Sequence, residues 1–207
     1  MASRLLNSGQ SCIAAKRFVV VARVAEEFTE RVIELMREQR FGDPIADPRV
    51  DLGPLAREDL RDALHDQVLR LVRAGSRLLL GGELPPAPGW FYPPTVLSGV
   101  QPGSPAYREE TFGPVASLIE ARDESDAIRI ANDTTFGLGA AVFTRDSVRG
   151  EQIARDLLHA GCCFVNDAVK SDPRLPFGGI GDSGFGRELA QPGIREFVNM
   201  KTVVVEE

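Results

Sequence analysis

The chain has 207 residues, 43% of them apolar and 26% charged, with 30 acidic against 24 basic side chains and a formal net charge of −6. Values this ordinary exclude a disordered, collagen-like or disulfide-scaffold chain, and scattered charge of net acidic sign excludes a nucleic-acid backbone as the main partner. No apolar run approaches the roughly 20 residues that span a bilayer, so no membrane partner is expected.

Arg17 to Ala22 is a short β-branched run and reads as a buried strand. Val24, Phe28, Val32, Leu35 and Met36 follow at helical spacing, and Gly42-Asp43-Pro44 stops that helix. A second stripe, Leu60, Leu64, Val68 and Leu71, closes at Gly75 before a strand over Arg77 to Leu80. Gly81 to Pro94 is a turn-rich connection dense in proline and glycine. Further strands are expected at Val115–Glu120, Gly139–Thr144 and Cys162–Asn166, separated by helices at about Ser125–Asn132 and Ser147–Leu158. A last strand is expected at Thr202–Glu206. This alternation predicts an α/β fold: an open, mostly parallel twisted sheet with helices on both faces. One domain is expected over residues 1–198, with residues 199–207 as a C-terminal arm. Met1–Ser11 lacks the apolar core of a secretory leader, so a cytoplasmic location is expected.

Chemistry concentrates in three segments. In Asn7-Ser8-Gly9-Gln10-Ser11-Cys12, Ser8 is a good helix N-cap, which would set Cys12 in the first turn of a helix. Free N–H groups there stabilise a thiolate. At an ordinary thiol pKa near 8.5 only about 3% is ionised at pH 7, and a helix terminus supplies much of the roughly 2 kcal/mol needed to reach half. Taken alone, however, a free cysteine is as readily a small buried apolar residue. In Arg108-Glu109-Glu110-Thr111-Phe112-Gly113-Pro114, the carboxylates could bind a polyol, a cation or a ribose, or form a solvated acidic turn; neighbours in sequence point different ways and do not share a proton. The third segment, Pro176 to Glu188, contains Gly179, Gly181 and Gly184 at dinucleotide-fingerprint spacing. Pro173 and Pro176 stand where that fingerprint needs a strand, so it reads as a close-packed glycine loop instead. Cys162 and Cys163 read as packed strand residues, and neither His65 nor His159 has neighbours that suggest a metal site.

Together and in this order, the segments resemble the NAD(P)-dependent aldehyde dehydrogenases. Asn7 to Cys12 is similar to that family's N-x-G-Q-x-C nucleophile segment, Glu109 to Val115 to its E-E-x-F-G-P-V segment, and Pro176 to Glu188 to its P-F-G-G…S-G-x-G-R-E segment. The resemblance implies that Cys12 is the nucleophile, forming a thiohemiacetal and then a thioester as hydride passes to NAD or NADP. It implies that Glu110 holds the nicotinamide ribose and that Phe112 lies beside the nicotinamide. The family's nucleotide-binding domain, general-base glutamate and oxyanion-hole asparagine have no counterpart in these residues, so the chain alone is expected to bind cofactor weakly and to be inactive in hydride transfer. Gly53-Pro54-Leu55-Ala56-Arg57 through Val68, with Gly81-Gly82-Glu83, is most similar to the succinate-semialdehyde subgroup. A carboxylate-tailed aldehyde would want an arginine, and Arg174 is the candidate. The arm resembles the family's C-terminal pairing strand, implying a homo-oligomer, a dimer in the simplest case. A self-associating module without chemistry, and a weak thiol esterase, are the alternatives.

Overall fold

Val115–Ala121 (β4) is buried at every position but Glu120 and forms the centre of a four-stranded sheet. Such a near-continuous apolar run is what a parallel strand covered on both faces requires. It pairs in parallel with Arg17–Val21 (β1), Arg17 opposite Ser117 and Val21 opposite Ala121. On its other side it pairs in parallel with Thr95–Ser98 (β3), Thr95 opposite Val115. Arg77–Leu80 (β2) closes the edge antiparallel to β3, with an irregularity between Leu78 and Leu80. The computed structural model describes residues 1–207.

A short helix, Ala2–Leu5 (α1), opens the chain, and longer helices cover both faces of the sheet. Ala22–Arg37 (α2) leaves β1 directly and buries Val32 and Met36 with Val96, Ala116 and Leu118. Glu58–Arg73 (α3) buries Leu64, Val68 and Leu71 on the opposite face, with Leu97, Val115 and Ile119. Glu124–Asn132 (α5) joins that layer through Ile130 and starts where the Asp123 carboxylate caps the Asp126 N–H at 2.8 Å. The short helix Pro105–Arg108 (α4) contributes Ala106 and Tyr107. The predicted apolar stripes are thus the buried faces, except at their N-terminal ends, where Val24 and Leu60 are exposed.

The chain divides into two compact units, Met1–Thr134 and Thr135–Glu207, the division falling in a polar turn after α5. In the second unit Gly139–Val142 (β5) pairs in parallel with Cys162–Val165 (β6). Ser147–Gln152 (α6), capped by Asp146, runs into a π turn over Ile153–Leu157, and Ala190–Arg195 (α7) follows the glycine loop. That loop packs on itself: Phe177 and Glu188 exchange backbone hydrogen bonds at 2.8 and 2.7 Å, and Arg187 donates to the carbonyls of Gly179 and Gly186. The expected strand at Thr202–Glu206 is not formed; its residues are exposed and no second strand pairs with them. No helix is long and apolar enough to cross a membrane.

Leu71 is fully buried, and Trp90, the only tryptophan, lies in the same unit. Leu71→Ala is expected to destabilise this unit by about 2–5 kcal/mol. Urea unfolding followed by Trp90 fluorescence measures it, and a loss below about 1 kcal/mol would contradict the packing described.

Candidate active site

Asn7, Ser8 and Gly9 are successive left-handed residues (φ 52°, 56° and 76°). Non-glycine residues adopt this conformation at a cost of order 1–3 kcal/mol and need surroundings that hold them there. Those surroundings are hydrogen bonds. The Asn7 amide donates to the Gln10 carbonyl at 3.1 Å, and the Gln10 N–H returns one to Asn7 at 3.0 Å. The Ser8 hydroxyl donates to the Gly53 carbonyl at 3.2 Å, and the Gln10 side-chain carbonyl accepts from the Ala56 N–H at 2.8 Å. Arg4, wholly buried, donates to the Gly9 carbonyl at 2.7 Å and reaches the Thr111 carbonyl at 3.5 Å. A Cβ on Gly9 would collide with the Gly113 carbonyl and come within 2.9 Å of the Arg4 guanidinium. Glycine there is what lets the two motif segments touch.

The helix expected over Cys12 is absent. Ser8 spends its hydroxyl on Gly53, and β1 begins five residues after Cys12, so the chain makes only a turn closed by Ala14 N–H to Ser11 O at 3.1 Å. Cys12 stands exposed on that turn, and its own N–H makes no backbone hydrogen bond. Cations replace the helix dipole. The Lys16 ammonium donates to the carbonyls of Ser11 (2.8 Å) and Cys12 (2.9 Å), pairs with the Glu110 carboxylate at 2.8 Å and lies 5.4 Å above the Phe112 ring. Burial lowers the Lys16 pKa, opposed by its hydrogen bond and charge interaction with Glu110. Burial likewise pushes Arg4 down to about 10, opposed by Glu110, so Arg4 stays charged at neutral pH.

In the acidic segment the side chains alternate. Thr111 is buried, whereas Glu110 and Phe112 emerge with side chains 38% and about 40% exposed. Glu109 turns the other way: Arg70 grips it through two bonds at 2.6 and 2.8 Å, and this pairing holds its carboxyl at about 2. The two adjacent carboxylates therefore serve different partners. Lys16 and Arg4 are absent from the residues the sequence suggested, and Gln10 stood there only as part of its motif. Lys16 could have drawn attention only as the first of two adjacent cations between an apolar turn and a strand, a weak signal. Cys162 and Cys163 are half-buried in β6, where burial pushes both thiols up. Arg174 lies in the second unit with its guanidinium gripped by Asp172 at 2.6 and 2.9 Å.

Gly9→Ala is expected to destabilise the first unit by about 2–4 kcal/mol, from strain at a positive φ plus the collision with Gly113. Urea unfolding read at Trp90 checks this; a variant as stable as the parent would contradict the contact.

The aldehyde dehydrogenase family pattern matches residues 1–203. The chain is 48% identical over 203 residues to the succinate semialdehyde dehydrogenase [NAD(P)+] Sad of Escherichia coli, covering 98% of this chain and 44% of that protein. It is 47% identical over 200 residues to succinate-semialdehyde dehydrogenase [NADP(+)] 1 of Mycobacterium tuberculosis, covering 97% and 43%. Among solved structures, succinic semialdehyde dehydrogenase from Streptococcus pyogenes in complex with NADP+ superposes with a TM-score of 0.94 at 36% identity, over 99% of this chain and 45% of that one. Lactaldehyde dehydrogenase from Escherichia coli superposes at 0.93 and 30% identity, over 97% and 42%. The chain spans less than half the length of these relatives. With a family pattern running over nearly all of its residues, the chain belongs to the aldehyde dehydrogenase family.

Proposed function

We propose that this chain carries the nucleophile and the cofactor-ribose contact of an NAD(P)-dependent dehydrogenase that oxidises an aldehyde to its carboxylate, with succinate semialdehyde as the substrate suggested by its relatives. One observation carries the reading: the backbone carbonyl of Cys12, a residue with an exposed thiol, and the exposed side chains of Glu110 and Phe112 meet around a single ammonium.

Cys12 acts covalently. Its thiolate forms a bond to the carbonyl carbon while the carbonyl π pair moves onto oxygen, and the unspent Cys12 N–H is available to that oxyanion. NAD(P), when bound, supplies the acceptor for the hydride that this carbon gives up. Glu110 and Phe112 fit the group: one carboxylate oxygen engages Lys16 while the other is uncommitted and open, as two ribose hydroxyls require, and the exposed ring offers an apolar wall that excludes water. The carbon–sulfur bond breaks again when water removes the acyl group as a carboxylate, which returns the thiolate. Glu110, which shares the Lys16 ammonium with this turn, is already paired, so an acylated Cys12 is slow to turn over in this chain alone. An activated ester would then give a burst and little more. Arg174 supports the substrate assignment less, because a substrate carboxylate would have to displace Asp172.

A second reading, self-association, is favoured by Phe185, Phe197, Met200 and Val203–Val205, large apolar side chains that the chain leaves almost uncovered near its C-terminus. An edge strand gained from another copy would form a homodimer.

Iodoacetamide at neutral pH is expected to label Cys12 at least tenfold faster than Cys162 or Cys163, as read by peptide mass spectrometry, while the chain gives no NADH from succinate semialdehyde. Faster labelling of either β6 thiol would overturn the assignment of the nucleophile, and NADH formation would overturn the expected inactivity of the chain alone. Light scattering with and without residues 199–207 tests association: a dimer that becomes a monomer on deletion supports the arm, and a monomer in both cases contradicts it.

A further inference from the structure

We infer that Lys16 is the positioning residue of this site: it fixes the backbone that aims Cys12 and, from the same place, neutralises Glu110, coupling the reactivity of the thiol to the carboxylate. The inference rests on the proposed role of Cys12.

An ammonium has three N–H donors, and the three polar partners of Lys16 account for them: Ser11 O, Cys12 O and Glu110 Oε1, all between 2.8 and 2.9 Å. The side chain is only 16% exposed, so water competes little for those bonds. The two carbonyls belong to the peptide planes on either side of the Cys12 Cα. Holding both planes with one cation fixes the backbone dihedrals of Cys12, and with them the direction of its Cα–Cβ bond. This short turn has no helical hydrogen-bond ladder that could do the same work.

The third bond sets the charge. Glu110 without a counter-ion would oppose the formation of an anion on the neighbouring turn. The charged and titratable groups facing Lys16 are Glu110, Arg4 and Cys12, and interaction with Cys12 favours the charged form of Lys16. A cation held to both carbonyls that flank the Cys12 Cα is placed to offset an anion on that residue, as it offsets Glu110. Arg4 is held to the carbonyls of Gly9 and Thr111, whereas Lys16 bonds the Cys12 carbonyl itself. Pairing of Lys16 with Oε1 also holds the Glu110 carboxylate still while leaving Oε2 for a hydroxylated ligand.

The test is the pH dependence of Cys12 carbamidomethylation by iodoacetamide in the parent chain and in Lys16→Gln, Lys16→Arg, Glu110→Gln and the Lys16→Gln/Glu110→Gln double variant. Lys16→Gln is expected to move the midpoint of the rate profile up by about half to one pH unit, a three- to tenfold slower reaction at pH 7, with the high-pH plateau retained. Glu110→Gln is expected to move it down. Lys16→Arg, which keeps the charge, should stay near the parent, and the double variant should lie between the two single ones. Mere loosening of the fold would change plateaus or expose Cys162 and Cys163, not shift midpoints in opposite directions. Midpoints that stay put, or move the same way, while Cys12 remains the fastest thiol would overturn the coupling and leave the nucleophile assignment standing. A Cys12 slower than Cys162 in the parent would overturn both.

Discussion

A guanidinium with no access to water holds the site together. Arg4 lies between the carbonyls of Gly9 and Thr111, residues about a hundred positions apart, and its Nε has no partner. Burying a charge with incomplete hydrogen bonding costs several kcal/mol unless an opposite charge is near. Glu110 supplies that charge. The arrangement works because Gly9 has no side chain, so its backbone can lie against Gly113. The two segments that look separate in sequence are one structural element, a left-handed turn seated on an extended acidic strip, and the thiol is presented from the turn.

This changes how the electrostatics of Cys12 are understood. A helix N-terminus would act through partial charges spread over several N–H groups. Here two whole cations, Arg4 and Lys16, face one carboxylate, Glu110, and the nearer cation is also a backbone ligand. Glu109 is withdrawn from this balance by Arg70, which leaves a local excess of positive charge beside the thiol. Cys162 and Cys163 have another setting: desolvation pushes both toward the neutral thiol, opposed by the Arg187 charge at Cys162 and reinforced by Cys162 at Cys163. The three free cysteines thus differ in exposure and in their charged neighbours.

Much of the first unit was legible because its signals are periodic. The stripes of α2 and α3 and the near-continuous apolar run of β4 are burial patterns written directly in residue type. The start of α5 was placed within a residue, although its cap, Asp123, was not singled out in the sequence. Strand β3 escaped notice: Thr95-Val96-Leu97-Ser98 is only four residues long and follows two prolines, so it looked like the tail of a turn, although all four are buried between β2 and β4. The strand expected at Thr202–Glu206 was a correct reading of β-propensity without a partner to pair with. At the site, Cys12, Glu110 and Phe112 were singled out through the resemblance of their motifs, and the alternation that separates Glu109 from Glu110 followed from backbone geometry. The turn at Cys12 was not, because Ser8 looks like an N-cap until its hydroxyl is seen to serve Gly53. Lys16 and Arg4 act through tertiary contacts that no local pattern encodes.

The central claim, that Arg4 binds the Cys12 turn and the acidic strip into one element, is tested most directly by hydrogen exchange on the amides of residues 7–15 and 109–115 in the parent and in Arg4→Met. The protected amides there include those of Gln10, Ala14 and Val115. The account predicts that both stretches lose protection together while residues 162–166 keep theirs. Loss in one stretch alone, or in neither, would contradict it.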